Sequence, residues 1–478
     1  MAENIRPVIK KSITPAADGP GHRWLLRGYL LLLFWAPLPL GSNRPWAWGL
    51  MESWVFLLLT VWLIQRWLRQ PLQDPLQDAA VRPFRLVMLL WLLALLYPLW
   101  QTIPWPTSLL TMLSPTTVSV RQLVGVSPQA GTISLDPHLT LVEWLKGISY
   151  LGIFWLTLVL PRTRQAVRQV TWVMLASGVT QVGISILSLD GSAATHDVHG
   201  SFVNRNHLAG FLELVLPVAI GLLRSNYQAT GAASGWRDRF HHGLEMISGP
   251  PGVLFGVSVA MVITLFLTQS RGGNGSLLLA FLLVATLPRA KNTRHPHLSS
   301  RVRAGVLLLT LFFIVINSTG LGHLVGRYLD TDIQQEGRLA VLQTATGIIK
   351  DYPLFGSGSG TFVFVYPRYQ PESLSQALFD HAHNDHLELI TERGIIGYGL
   401  LAAALLHCWW IIARAYHSRR DSLASALLYA SLVATLSLVI HGLTDFNFQI
   451  PANALYFMVM LAVGLQGVGL APANRRVI

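Results

Sequence analysis

Apolar residues in this chain come in long runs, separated by short polar stretches. A helix that crosses the hydrocarbon core of a bilayer needs about 20 apolar residues. Runs of that order occupy 24–40, 48–66, 84–101, 139–160, 168–188, 206–223, 252–269, 273–289, 303–319, 394–413, 424–442 and 452–470. They predict an all-α polytopic membrane protein of about 12 transmembrane helices. The sixth run is short and carries Glu213; the seventh and eighth are joined by the turn Gln269-Ser270-Arg271-Gly272-Gly273. The segments that follow are a tail over 1–23, helices one to nine over 24–319, a loop over 320–393, helices ten to twelve over 394–470, and a tail over 471–478.

The loop over 320–393 is the longest between runs. Loops of this length are functional or disordered, and the apolar spacing of Leu339, Leu342 and Ile349 predicts a helix over 335–350. Asp351-Tyr352-Pro353 stops that helix, Gly356, Gly358 and Gly360 make a turn, and Phe362, Phe364 and Tyr366 alternate behind it. A second polar segment, 102–138, holds Trp105 among prolines and is expected to lie along the membrane interface. There is no internal repeat and no low-complexity tract.

Composition agrees. Charged residues are 12% of the 478, about half the share of a soluble surface, and hydrophobic residues are 52%. The net charge of +12 suggests nucleic acid, but basic residues concentrated in cytoplasmic loops account for it without such a partner. Most of the 35 Lys and Arg fall on one side if the first 23 residues are cytoplasmic. The loops 102–138 and 320–393 are then external. Those first residues lack the pattern of a cleaved signal peptide. The single cysteine, Cys408, lies in an apolar run and excludes disulfides and thiolate metal clusters.

Candidate chemistry gathers in the external segments. Arg205, Arg271 and Arg338 stand at or near the starts of helices. An arginine near bilayer depth is costly unless paired or hydrated, and its planar fork of donors matches phosphate oxygens. Snorkelling at the interface is the alternative role for each. Asp380-His381-Ala382-His383-Asn384-Asp385-His386-Leu387-Glu388 precedes the tenth run. A histidine placed there can remove a proton from an attacking hydroxyl, or cap the next helix. The same string reads His-x-His-x-Asp-His, a zinc-ligand pattern of metallo-β-lactamase-type hydrolases. The loop is too short to supply the β-rich domain that such a site needs, so no metal is expected. His441-Gly442-Leu443-Thr444-Asp445-Phe446-Asn447 is the last polar constellation, either lining the same cavity or forming a simple turn.

Taken in order, four strings resemble the O-antigen ligase and polymerase superfamily of bacterial inner membranes. They are Gly200-x-Phe202-x-Asn204-x-Asn206-x-Leu208-Ala209 with Pro217, Ser270-Arg271-Gly272-Gly273, Gly337-Arg338 leading to Asp351-Tyr352-Pro353-Leu354-Phe355-Gly356-x-Gly358, and His383-Asn384-x-x-Leu387-Glu388 with Glu392-x-Gly394-x-x-Gly397. The likeness spans roughly 200–450.

The resemblance implies a GT-C-like bundle with a periplasmic loop between helices nine and ten. It also implies an inverting transferase that needs no metal or other cofactor. The donor would be a glycan on undecaprenyl diphosphate. The acceptor would be a glycan or lipid A–core hydroxyl, with membrane lipids around it and no nucleic acid. His383 would be the base, and Arg271 and Arg338 would hold the diphosphate. Asn204, Arg205, Asn206, His381, Asn384, His386 and Asp445 would line the substrate site, with His381 or His386 able to share the role of His383. Ligase, polymerase and protein glycosyltransferase share these motifs, although the last usually has a larger soluble C-terminal portion. A flippase of lipid-linked glycan also suits many spans with intramembrane Lys146 and Glu213. The lack of related halves and the gathering of polar motifs on one face favour the enzyme.

Overall fold

The computed structural model describes residues 20–68, 82–125, 129–188, 198–229, 249–287, 341–372 and 379–470. Eleven of the expected spans coincide with one helix each. These are α1 (Pro20–Trp35), α2 (Pro45–Leu68), α3 (Arg85–Gln101), α6 (Pro137–Val159), α7 (Arg164–Leu187), α8 (Arg205–Ala229), α9 (Pro250–Leu267), α10 (Arg271–Thr286), α12 (Asp385–Ser418), α13 (Ser422–His441) and α14 (Pro451–Gly469). The expected span 303–319 lies outside the described residues, as do Arg338 and the start of the loop helix. Eight of the helices are long and apolar enough to cross a membrane. The protein is an all-α polytopic membrane protein.

Burial separates the centre from the rim. α8, α13 and α14 bury about four-fifths of their apolar windows (83%, 78% and 83%), whereas α9 buries 28% and α12 22%. The centre is tight because its contact residues are small: a Cβ on Gly221 would come 2.8 Å from the Ala426 carbonyl, and one on Gly464 would come 2.4 Å from Ser431 Oγ. Without a hydrophobic drive between helices in lipid, such close approach is what holds them together. The rim points leucine and phenylalanine outward, with exposed Trp24, Trp46 and Trp67 near helix ends, where indole favours the interface.

The two ends of the bundle differ. At one end Arg164 grips Asp421 through two 3.0 Å bonds, and His22 bonds to the Leu160 carbonyl. At the other lie the loops that carry the motifs. Residues 102–138 form a two-residue hairpin, β1 (Trp105–Pro106) with β2 (Ala130–Gly131), around two short helices, α4 (Thr107–Leu113) and α5 (Pro115–Leu123). In the long loop, α11 covers 341–351 and ends at Tyr352, as its proline predicts. The aromatic alternation that follows is helical rather than extended. Phe362 and Tyr366, four residues apart, turn into a small core with Val341, Ile348, Tyr352 and Ala382, while Phe364 is exposed.

α12 begins at Asp385, not at 394 where its apolar run begins. Its first two turns are polar, so hydropathy misses them. They join the apolar part through Gly394, at φ 63° and ψ −179°, a conformation open in practice only to glycine. The glycine turn of the loop locks onto this break. Ser357 and Gly358 donate to the Thr391 and Glu392 carbonyls, and Ile395 donates to Pro353. Gln101, fully buried at the end of α3, donates to the Phe355 and Glu392 carbonyls and accepts from Ser359. A Cβ at Gly394 would lie 2.2 Å from the Leu354 carbonyl oxygen. Gly394→Ala is therefore expected to cost about 1–3 kcal/mol in backbone strain alone, before that overlap is relieved. A fall in the melting temperature of the purified protein in detergent checks it; an unchanged midpoint would contradict the lock.

Candidate active site

At the loop-bearing end the starts of α8, α10 and α12 are each capped by a polar side chain. Asn204 Oδ1 accepts from the Asn206 amide at the head of α8, at 2.8 Å. Ser270 Oγ accepts from Gly273 at the head of α10. Asn384 Oδ1 accepts from His386 and Leu387 at the head of α12. Gln269 and His383, the residues just before the last two caps, both take positive φ (52° and 49°), a left-handed turn that non-glycine residues adopt at some cost. A capped helix start still presents amide donors and the positive end of the helix dipole.

The connection from α13 to α14 ties these starts together. Asn206 donates to Asp445 Oδ2 at 2.5 Å, and Asn384 donates to the Leu443 carbonyl at 2.9 Å. The Asp385 amide bonds to the Gly442 carbonyl, and its carboxylate accepts from Phe448. Gly272 lies against Thr444 and His441; a Cβ there would come 2.5 Å from Thr444 Oγ1. Below them the buried Glu213 of α8 accepts from Ser276 of α10 and Ser437 of α13. His441 Nδ1 stands 2.7 Å from Glu213 Oε1. Asn447 Nδ2 is a longer, neutral neighbour of the same nitrogen at 3.2 Å, so the carboxylate is the stronger partner.

The histidines divide by their surroundings. Phe446 is ringed by three of them: His381 stacked at 4.5 Å, and His207 and His383 edge-on at 4.9 Å. His381 Nδ1 lies 2.8 Å from Glu388 Oε1, and Glu388 Oε2 accepts from the Ala382 amide. Burial pushes the His381 pKa down, but the adjacent Glu388 carboxylate outweighs it and holds the ring above the ordinary histidine value. His383 Nδ1 stands 3.9 Å from Asp445 Oδ1. His386 has both ring nitrogens engaged inside the fold, with Tyr398 OH at 3.0 Å and the Val439 carbonyl at 2.8 Å.

Of the residues expected from sequence, Asn204, Arg205, Asn206, Arg271, His381, His383, Asn384 and Asp445 come together at this end. Arg271 is exposed at the first position of α10, and Arg205 is half-buried at the first position of α8. Arg338 is outside the described residues. His386 packs between α12 and α13, which makes it a brace of the site. The string His-x-His-x-Asp-His does not converge, because Asp385 and His386 turn to other partners. Among the described residues no group of three His, Cys, Asp or Glu is placed to hold a metal.

Sequence alone gave Glu388, Glu213 and His207 no role at the site, and left His441 in a string that either lines the cavity or forms a simple turn. An ionisable residue inside an apolar run was the available signal for Glu213. His441 and His207 acquire their meaning from neighbours distant in the chain, and Glu388 from His381 and Ala382 across the cap of α12.

Residues 256–402 match the family model of the O-antigen ligase. Over those residues the chain is similar to the O-antigen ligases. The matched segment runs from α9 through Arg271, the glycine turn and His383 into α12. Asn206 and Asp445 lie outside it, yet geometry brings them to the same place. No curated protein matches the chain.

Proposed function

We infer that this protein transfers a glycan from undecaprenyl diphosphate to a sugar hydroxyl at the periplasmic face of a bacterial inner membrane. The convergence of three capped helix starts with Arg205, Arg271, His381 and His383 carries this reading. Such an end suits an anionic diphosphate, and an arginine fork neutralises charge on its oxygens. Arg271 also heads an outward-facing stripe of α10, with Gly275, Leu279 and Leu283 exposed below it. A polyprenyl chain lying along that stripe would put its diphosphate at the arginine.

The chemistry asks little more of the protein. Lipid diphosphate is a competent leaving group once its developing charge is stabilised. The acceptor hydroxyl needs orientation and a group to take its proton. Arg338, which lies outside the described residues, would be the second arginine on the diphosphate by its place in the motif.

Ligase and polymerase differ only in the acceptor. Purified protein in proteoliposomes, given donor with either lipid A–core or a second lipid-linked unit, separates them. Glycan on lipid A–core identifies a ligase, and lengthened lipid-linked chains a polymerase. Neither product, with donor merely moved across the bilayer, would overturn the transferase. EDTA should leave activity intact.

A further inference from the structure

Arg271 is one cation at the head of α10, and a second is built into the floor beneath that turn. We propose that His441, ion-paired to Glu213, donates from Nε2 to a phosphate oxygen of the lipid diphosphate seated on the first turn of α10. This rests on the transferase reading above.

The first turn of α10 has no side chain on its inner face. Gly272 and Gly273 follow Arg271, and both lie directly on the pair. A Cβ on Gly273 would come 2.8 Å from Glu213 Oε1, and one on Gly272 would come 3.1 Å from His441 Nε2. The ring nitrogen therefore faces the helix backbone with no side chain between them. The Arg271 and Gly272 amides have no acceptor within the helix, whereas the Gly273 amide is taken by Ser270 Oγ. Free amides at the positive end of a helix dipole attract an anion.

His441 is an independent sign that a ligand belongs there. Its side chain is 1% exposed, and that of Glu213 is fully buried. Nδ1 is committed to Glu213 Oε1 at 2.7 Å. Among the described residues no hydrogen bond reaches Nε2. The cation of an ion pair carries a proton on both ring nitrogens, so Nε2 is a buried donor without an acceptor. Leaving such a donor unmade is costly. The ring is also held in place. Glu213 Oε2 accepts from Ser276 and Ser437, and Thr444 Oγ1 donates to the His441 carbonyl.

A phosphate group has acceptor oxygens for the two amides and for Nε2–H, and its charge makes the bond from an imidazolium a strong one. Glu213 offsets the charge of His441 inside the fold, and the exposed Arg271 brings the net positive charge that draws the diphosphate in. His441 is then a binding residue, and Glu213 a positioning residue that keeps it charged and aimed.

The full-length protein in detergent tests this, with undecaprenyl diphosphate as the probe. Asparagine places an amide nitrogen where Nδ1 stands and nothing at Nε2, and glutamine places one where Nε2 stands. Affinity, melting temperature and transfer from undecaprenyl-diphosphate glycan are measured for wild type, His441→Asn, His441→Gln and Gly272→Ala. His441→Asn keeps a donor for Glu213 and should bind the lipid diphosphate about 10–100-fold more weakly, with transfer reduced to match at low donor. His441→Gln should recover part of that affinity although it gives up the bond to Glu213. Gly272→Ala leaves the pair intact and covers Nε2. It should lose affinity as His441→Asn does, and it reads the same nitrogen if the asparagine variant does not fold. A role in packing alone gives another order, with affinity tracking melting temperature and glutamine no better than asparagine. That order, or wild-type affinity in folded His441→Asn or Gly272→Ala, would overturn the proposal and leave transfer in place. A wild type that makes no glycosidic bond, with affinity still dependent on His441, would end the transferase reading and keep this site. A wild type without affinity for undecaprenyl diphosphate would end both.

Discussion

Replacing Arg271 with alanine is expected to lower glycan transfer by about 10²–10³, the scale for removing one preorganised group from a developing negative charge. The side chain is exposed at the first position of α10, so little of the fold depends on it. Its neighbours Gly272 and Gly273 carry the packing, against Thr444, His441, Ala209 and Glu213. The melting temperature of Arg271→Ala should stay within a degree or two of wild type while kcat collapses. Arg271→Lys should recover only part of the loss, since an ammonium keeps the charge but not the bidentate fork. Rates and melting curves on the same preparations check this. An Arg271→Ala protein with full transfer would remove the diphosphate from this end of α10.

Glu213→Ala should act in the opposite manner, through the fold first. Glu213 is fully buried and holds Ser276, Ser437 and His441, so it joins α8, α10 and α13 below the site. Breaking a buried ion pair by deleting one partner costs about 3–5 kcal/mol, because the other is left without compensation. The loss should appear as a large drop in melting temperature, with transfer falling in parallel as the seat of Arg271 loosens. Glu213→Gln keeps hydrogen-bonding capacity towards the two serines and should lose markedly less. Equal stability of the alanine variant and wild type would show that this cluster does not hold the helices together.

These two residues also mark how far the sequence could be read. Spans were legible because hydrocarbon thickness sets a run length, and eleven runs fell on one helix each. The start of α12 was not, because Asp385, His386, Glu388 and Glu392 face protein rather than lipid in its first turns. Arg271 was legible from its place in a tight turn between two apolar runs. Glu213 stood out as a charge in an apolar run, but its partner His441 is more than two hundred residues away, and only the packing of α8 on α13 joins them. The same holds for Gln101, an ordinary polar residue at a helix end that proves to pin the glycine turn to α12. His381 and Glu388 are seven residues apart across a helix cap, a separation with no periodic signature, so the pair could not be told from its neighbours. His386 looked equivalent to them until its two bonds were seen.

The central claim is that transfer occurs at the end of the bundle where α8, α10 and α12 begin. The most direct test compares formation of the glycosidic bond and release of lipid diphosphate in proteoliposomes for wild type, Arg271→Ala and Arg23→Ala. Arg23 is exposed on α1, near the end where His22 meets Leu160. Bond formation by wild type and Arg23→Ala, with loss in Arg271→Ala, is the predicted result. Equal activity in all three, or loss on Arg23→Ala alone, would contradict it.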